Sequence, residues 1–183
     1  MVKFSSALLG LLVLIACNSG DTKTESTTET ASTPETKTAP QSEFADPKYT
    51  EVGKKSIAAL AAGDVDGFTA NLADNAVFIW SSGDSLVGKQ AINDYWKNRR
   101  GKVIDSLTIM NDIWLPIKVN TPQRGPDIPG VWLLSWYQSQ VKYKNGKTLV
   151  IGIHNVQHFD ANDKVDRIIQ YLDRAPIIAA GVK

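Results

Sequence analysis

Apolar residues follow three different patterns along the chain, and the changes between them divide it. One positive charge, Lys3, precedes Ala7 to Ala16, ten residues that are all apolar or Gly. From Asn18 to Glu43 there is no Val, Ile, Leu, Met or aromatic residue. From Phe44 onward the apolar positions recur, first with helical and then with strand periodicity. Asp46-Pro47 supplies a cap and a first-turn proline for a helix carrying Tyr49, Val52, Ile57 and Leu60, and Gly63 ends it. Asp64 caps a second short helix through Phe68 and Leu72. A strand, Ala76 to Trp80, leads through the turn-rich Ser81-Ser82-Gly83-Asp84 to Gly88, after which Ala91, Ile92, Tyr95, Trp96 and Arg99 repeat at helical spacing.

The remainder reads as strands. Leu107 to Val119 is followed by a Pro/Gly loop, then Val131 to Tyr143, a four-residue turn Lys144-Asn145-Gly146-Lys147, Thr148 to Asp160, a turn at Ala161-Asn162-Asp163, and Lys164 to Asp173. Helices first and an antiparallel meander afterwards predict an α+β domain with the helices on one face of a curved sheet.

The apolar run before Cys17 is a signal-peptide core, too short for a spanning helix, which needs about 20 apolar residues. Leu14-Ile15-Ala16-Cys17 resembles the lipobox of bacterial lipoproteins, and Cys17 is the only cysteine of the chain. The resemblance implies diacylglycerol on the Cys17 sulfur, cleavage before Cys17 and acylation of the new N-terminus. Two or three acyl chains make a stable anchor where one does not. The expected organisation is therefore a signal peptide over residues 1–16, a lipidated cysteine and Ser/Thr-rich disordered tether over 17–43, and one domain over 44–183. A coil of this length reaches on the order of 30 Å, holding the domain clear of headgroups. The expected location is the cell envelope, facing the periplasm or the surface.

Charge narrows the choice of partners. The tether is acidic, with Lys23 and Lys37 against Asp21, Glu25, Glu29, Glu35 and Glu43. The domain is weakly basic, but only Arg99-Arg100-Gly101-Lys102 is dense, and a cationic helix end accounts for it. Nucleic acid is not an expected partner. With a single cysteine the domain has no disulfide to rely on.

Several local patterns of the domain resemble the NTF2-like superfamily, in particular its SnoaL-like and ketosteroid-isomerase-like branches. They are Gly63-Asp64, Leu72 to Phe78, Gly88-Lys89-Gln90-Ala91-Ile92, the Asn145-Gly146 turn, and Phe159-Asp160 with Lys164-Val165. The resemblance implies a cone of helices packed on a curved, mainly antiparallel sheet, with any ligand inside. In the isomerase an aspartate takes the proton while a tyrosine and a protonated aspartate stabilise the oxyanion. Anchored at Gly63-Asp64 and Phe159-Asp160, those three positions fall on Trp80, Ser56 and Asn155. Trp80 cannot accept a proton, so no catalytic residue and no cofactor are assigned. Asn155 retains an amide hydrogen-bond donor.

The same overlay, continued with period two, places Phe78, Trp80, Trp132, Leu134, Trp136, Gln138, Gln140, Ile151, Ile153, Asn155, Gln157, Ile168, Gln170 and Leu172 on the interior face. Trp80, Trp132, Trp136, Gln138, Asn155, Gln157 and Leu172 are the ligand-binding candidates, a Trp-rich wall with amides and no carboxylate, suited to a small hydrophobic molecule. Equally, these side chains can fill the cone as core. His154 and His158 do not form a metal pair, because four strand residues span roughly 13 Å. They face outward with Tyr137, Val141, Tyr143, Ile169 and Tyr171, a patch suited to a homodimer or to cover by the tail Ala175 to Lys183.

Three function classes remain open at this level. One is a non-catalytic binding module; another is an isomerase, dehydratase or cyclase using Asp84, Asp112 or Asp173; the third is an interaction domain of an envelope complex.

Overall fold

A computed structural model describes residues 39–122 and 128–182. Cys17, the signal peptide and nearly all of the tether lie outside the described residues. The elements run β1 (Ser42–Phe44), α1 (Lys48–Ala62), α2 (Val65–Thr69), β2 (Leu72–Trp80), β3 (Ser85–Val87), α3 (Lys89–Lys102), β4 (Ile104–Val119), β5 (Gly130–Tyr143), β6 (Thr148–Phe159), β7 (Val165–Leu172) and α4 (Ala175–Ala179). Seven strands form one sheet in the order β1-β4-β5-β6-β7-β2-β3. Only β2 and β7 pair in parallel; the other neighbours are antiparallel. The α+β class and the helix-on-curved-sheet cone are as the sequence indicates.

The helix ends follow from their residues. Asp46 accepts from the backbone N–H of Lys48 at 2.8 Å. Gly63 takes the left-handed conformation, φ 87°, that closes α1, and its N–H returns to Leu60. Asp64 caps α2 by accepting from Gly67 N–H at 2.8 Å. The domain begins earlier than Phe44: Ser42 and Glu43, assigned to the tether from composition, pair with Val119 and Lys118 of β4. A polar segment can add to a sheet edge because backbone bonds, not apolar side chains, hold it there.

Curvature comes from interrupted pairing. Register shifts occur on β4 between Ile104 and Ser106 and between Met110 and Ile113, where Asn111 has φ 54°. Such bulges bend a strand and increase its twist. The narrow end of the cone is filled by Tyr49 and Leu60 of α1, Phe68 of α2, Ile92 of α3, Leu72, Ala76 and Phe78 of β2, and Leu133, Phe159, Val165 and Ile168 of the sheet. Asp163 locks the β6–β7 turn to α1, accepting from Lys48 Nζ at 2.7 Å and Tyr49 Oη at 2.6 Å. The Lys48 bond, then the Tyr49 bond, hold its carboxyl below the usual carboxylate range.

The strand β5 departs from expectation. Leu133, Ser135, Tyr137, Ser139, Val141 and Tyr143 are buried on one face, Trp132 is buried on the other, and Trp136, Gln138, Gln140 and Lys142 are exposed. The cause is the hairpin turn. A four-residue turn would pair Tyr143 with Thr148, but the structure pairs Lys142 with Thr148. Tyr143 N–H donates to the Lys147 carbonyl at 2.8 Å, and Gly146, at φ 85°, donates to the Tyr143 carbonyl at 2.9 Å. One residue of slip sends every β5 side chain to the opposite face.

At Gly53 α1 comes close to the sheet. A Cβ there would lie 2.5 Å from Leu133 Cδ2 and 2.6 Å from the Trp114 ring. Replacing Gly53 with Ala therefore overpacks the α1–sheet contact. Urea unfolding of Gly53→Ala is expected to show a loss of roughly 1 to 3 kcal/mol despite the better helix propensity of alanine.

Candidate functional site

Above the filled end, the cone opens into a cavity of about 360 Å³. Its walls are built from both layers. The sheet contributes Phe78 and Trp80 from β2, Tyr137, Ser139, Val141 and Tyr143 from β5, Ile151, Ile153 and Asn155 from β6, and Ile168, Gln170 and Leu172 from β7. The helices contribute Ile57, Leu60, Phe68, Tyr95 and Trp96. The cone is thus filled at one end and hollow at the other.

One wall is a continuous aromatic network. Trp96 meets Phe68, Phe78 and Tyr95 edge-on at 5.7, 6.2 and 5.4 Å between ring centroids, and Trp80 lies 4.8 Å from Phe78 and 5.1 Å from Tyr95. Such pairs add specific geometry to apolar burial and hold the rings at a fixed spacing. Sequence reasoning placed Tyr95 and Trp96 on a helical stripe and did not assign them to the site. Their spacing from Arg99 on one face of α3 was the available signal.

Ser139, Asn155 and Gln170 bring buried polar groups into the wall, and Asn155 pairs with Tyr137. Asn155 Nδ2 donates to Tyr137 Oη at 2.7 Å, with both side chains buried. Burial pushes the Tyr137 phenol far above its usual range, outweighing the opposing effect of the Asn155 bond, so it stays protonated. Asn155 Oδ1 and Trp96 Nε1 are buried and have no protein partner among the described residues. An unpaired buried polar group typically costs about 1 to 3 kcal/mol.

Charge is confined to the rim. Asp84 is paired with Arg174 at 3.4 Å, both well exposed, and Arg174 also donates to Ser82 Oγ at 3.2 Å. Arg99 sets its guanidinium 5.8 Å from the Tyr95 ring centre. Asp84 thus corrects the expectation of a lining without carboxylates, though it stands at the mouth. Asp112 instead accepts from Trp114 Nε1 at 2.6 Å, and Asp173 accepts from Ala175 N–H, neither in the cavity wall.

The seven candidates separate. Trp80, Asn155 and Leu172 line the cavity. Gln157 faces inward, opposite Leu133 and Ile168, but in the filled end below the cavity. Trp132, Trp136 and Gln138 are on the outer face, by the slip at the hairpin. Trp132 packs 4.8 Å from His158 and donates to the Ile128 carbonyl; Trp136 stacks on His154 at 4.6 Å and 13°. Ser56, the position overlaid on the isomerase tyrosine, donates to the Phe68 carbonyl and is structural.

The outer face is also redrawn. Tyr137, Val141 and Tyr143 leave it for the interior, and Trp136 joins His154 and Tyr171 in a stacked row. His154 donates to the Ser135 carbonyl, and His158 lies between the Asp166 carboxylate at 2.6 Å and the Pro129 carbonyl. Among the described residues no group of three or more His, Cys, Asp or Glu could hold a metal ion. The C-terminal segment does not cover this face. Ile177 and Val182 pack against Ile104, Val141, Tyr143 and Ile151, closing the wide end of the cone, and Asn145 Nδ2 holds the segment through the Ala180 carbonyl at 3.1 Å.

Solved structures share the fold of this domain. An NTF2-like protein of unknown function from Burkholderia pseudomallei superposes with a TM-score of 0.56 at 15% identity, covering 72% of this chain and 95% of its own. The fold is NTF2-like. A second NTF2-like protein of unknown function, from an Exiguobacterium species, gives 0.54 at 12% identity over 67% of this chain and 98% of its own. A protein of ketosteroid-isomerase-like fold from Catenulispora acidiphila, solved in complex with trimethylamine, gives 0.50 at 12% identity over 73% and 94%. No family model and no curated protein sequence matches the chain. Identities this low concern the NTF2-like fold alone.

Proposed function

We propose that this chain is a lipid-anchored envelope protein whose NTF2-like domain holds a small, largely apolar molecule in its cone without transforming it. The observation that carries the reading is the cavity itself. Aromatic and aliphatic walls, a few buried polar side chains and charged residues Asp84, Arg99 and Arg174 form a concave, mostly apolar site with a few placed polar groups. Proton transfer of the isomerase type needs a base at the reacting carbon. Trp80 stands at that overlaid position, and Asp84, the one carboxylate of the described lining, is held at the mouth by Arg174.

The anchor rests on Leu14-Ile15-Ala16-Cys17 and on the apolar run before it. A second copy of the chain is the partner we assign to the outer sheet face, where Ile113, Trp136, Val150 and Tyr171 are exposed.

Two experiments test these parts separately. Titration of the mature chain with steroids, quinones and fatty acids is expected to change its tryptophan fluorescence, and Trp80→Ala is expected to weaken the best binder by roughly 1 to 3 kcal/mol. Unchanged fluorescence with every compound would sink the binding reading. Cys17→Ala is expected to abolish incorporation of labelled fatty acid in a bacterial host and to release the domain from the membrane fraction or leave it as uncleaved precursor. Persisting label would end the lipoprotein reading.

A further inference from the structure

The fold gathers positive charge that the sequence spreads over separate segments. Arg99, Arg100 and Lys102 end α3, whose last turn attracts cations in any case, while Lys144 and Lys147 stand in the β5–β6 turn. Folding joins the two segments: Lys144 N–H donates to the Val103 carbonyl at 2.9 Å, and Lys144 Nζ donates to the Gly101 carbonyl. Residues 99–105 and 142–147 together carry six cations and one carboxylate, Asp105, which Lys142 holds at 2.9 Å. The Lys142 bond, with Lys144 and Arg100 nearby, keeps the Asp105 carboxyl below the usual carboxylate range. Other carboxylates on adjoining elements are engaged: Asp84 by Arg174, Asp66 by Lys97, Asp94 by Gln90, and Asp64 and Asp173 by backbone N–H groups. Lys102 and Lys147 are exposed and have no carboxylate partner among the described residues. The C-terminal segment lies at the same end, since Asn145 in the lysine turn donates to the Ala180 carbonyl at 3.1 Å. No residue of α4 is buried, and Ile178, one of the cavity-lining residues, is 67% exposed.

We propose that this end of the domain docks on an anionic phospholipid surface, with Lys102, Lys144 and Lys147 among the lipid phosphates and Ile178 entering the interface beside them. A bilayer boundary presents negative charge and hydrocarbon within a few ångströms of each other, which suits an exposed apolar side chain set among cations. A polyanion in solution would use the lysines alone. The inference rests on the envelope-anchored reading, which puts the domain beside a bilayer. The anchor permits the contact: from Cys17 to Gln41 the chain can extend to about 80 Å, against about 45 Å for the whole length of β5. Docking in this way sets the Ile178 side of the cone against lipid, so that an apolar ligand passes between membrane and cavity.

Co-sedimentation of the non-acylated mature chain, Cys17→Ala, with vesicles tests the contact apart from the anchor. On phosphatidylcholine vesicles containing about one third phosphatidylglycerol, binding is expected to be roughly tenfold or more tighter than on phosphatidylcholine alone. Salt should release it, because the screening length falls from about 10 Å at 0.1 M to about 3 Å at 1 M. Lys102→Gln combined with Lys147→Gln is expected to weaken binding by about tenfold or more, each lysine near an anionic surface contributing several-fold. Ile178→Ser is expected to weaken it by about fivefold while the salt dependence stays the same. Thermal unfolding confirms that the variants fold, and the substituted side chains are all exposed. Equal binding to both kinds of vesicle, or binding to neither, overturns the inference. So does phosphatidylglycerol binding that the lysine variant leaves intact. Binding that Ile178→Ser leaves unchanged overturns the lipid assignment and makes the cluster a site for soluble polyanions. Fatty-acid labelling at Cys17 is read separately, so either the docking or the anchor can fail while the other stands.

Discussion

The hairpin between β5 and β6 decides which side chains enter the cone. Lys142 pairs with Thr148, and from that pair the ladder runs down to Ser135 opposite Asn155 and Leu133 opposite Gln157. Because opposed residues of an antiparallel pair share a face, Asn155 inside means Ser135, Tyr137 and Ser139 inside. The same ladder sends Trp136 out beside His154 and Trp132 out beside His158. With the four-residue turn, Trp136 would stand opposite Asn155 in place of Ser135, and Gln138 and Gln140 would replace Tyr137 and Ser139 on the inner face. The small side chains of Ser135 and Ser139, fully buried on the inner face, keep Tyr137 flanked by space rather than bulk.

The rest of the molecule holds that geometry. Bulges on β4 bend the sheet, and Gly53 lets α1 approach close enough to fill the narrow end. The Asp163 contacts with Lys48 and Tyr49 fix α1 to the far turn. At the opposite end the aromatic network of α3 and β2 forms one wall, and Ile177 and Val182 of the C-terminal segment pack against Ile104, Val141, Tyr143 and Ile151. The domain is thus a core at one end and a container at the other, and the change occurs at the level of Phe78, Tyr137 and Asn155.

Much of this architecture is legible in the sequence because it is local. The helix start at Asp46-Pro47, the cap at Asp64, the helix end at Gly63, the turn at Asn145-Gly146 and the alternation on β6 and β7 each announce themselves within a few residues. The inward placement of Trp80, Asn155 and Leu172 follows from that alternation. The face of β5 is not local in this sense. Both of its faces carry aromatic residues, so period two alone is ambiguous, and its register is set by whether Lys147 counts as turn or strand. Lys142 and Gln140 against Val141 and Tyr143 are the signal in the sequence that favours the observed face. Tyr95 and Trp96 could be placed on a helix, but only the packing of α3 over β2 brings them to the site. The early strand Ser42–Phe44 is invisible to hydrophobic patterning, since its bonds to β4 are made by backbone.

A ligand held as proposed lies within the cone against Trp80 and Trp96, with Trp136 and Trp132 on the far side of the sheet. The five tryptophans give five indole N–H resonances, so a titration of the ¹⁵N-labelled mature chain with the best-binding steroid, quinone or fatty acid reads the location directly. The account predicts large shifts for Trp80 and Trp96, with Trp132 and Trp136 still. Shifts confined to Trp132 and Trp136 would place the binding surface on the outer face and contradict it.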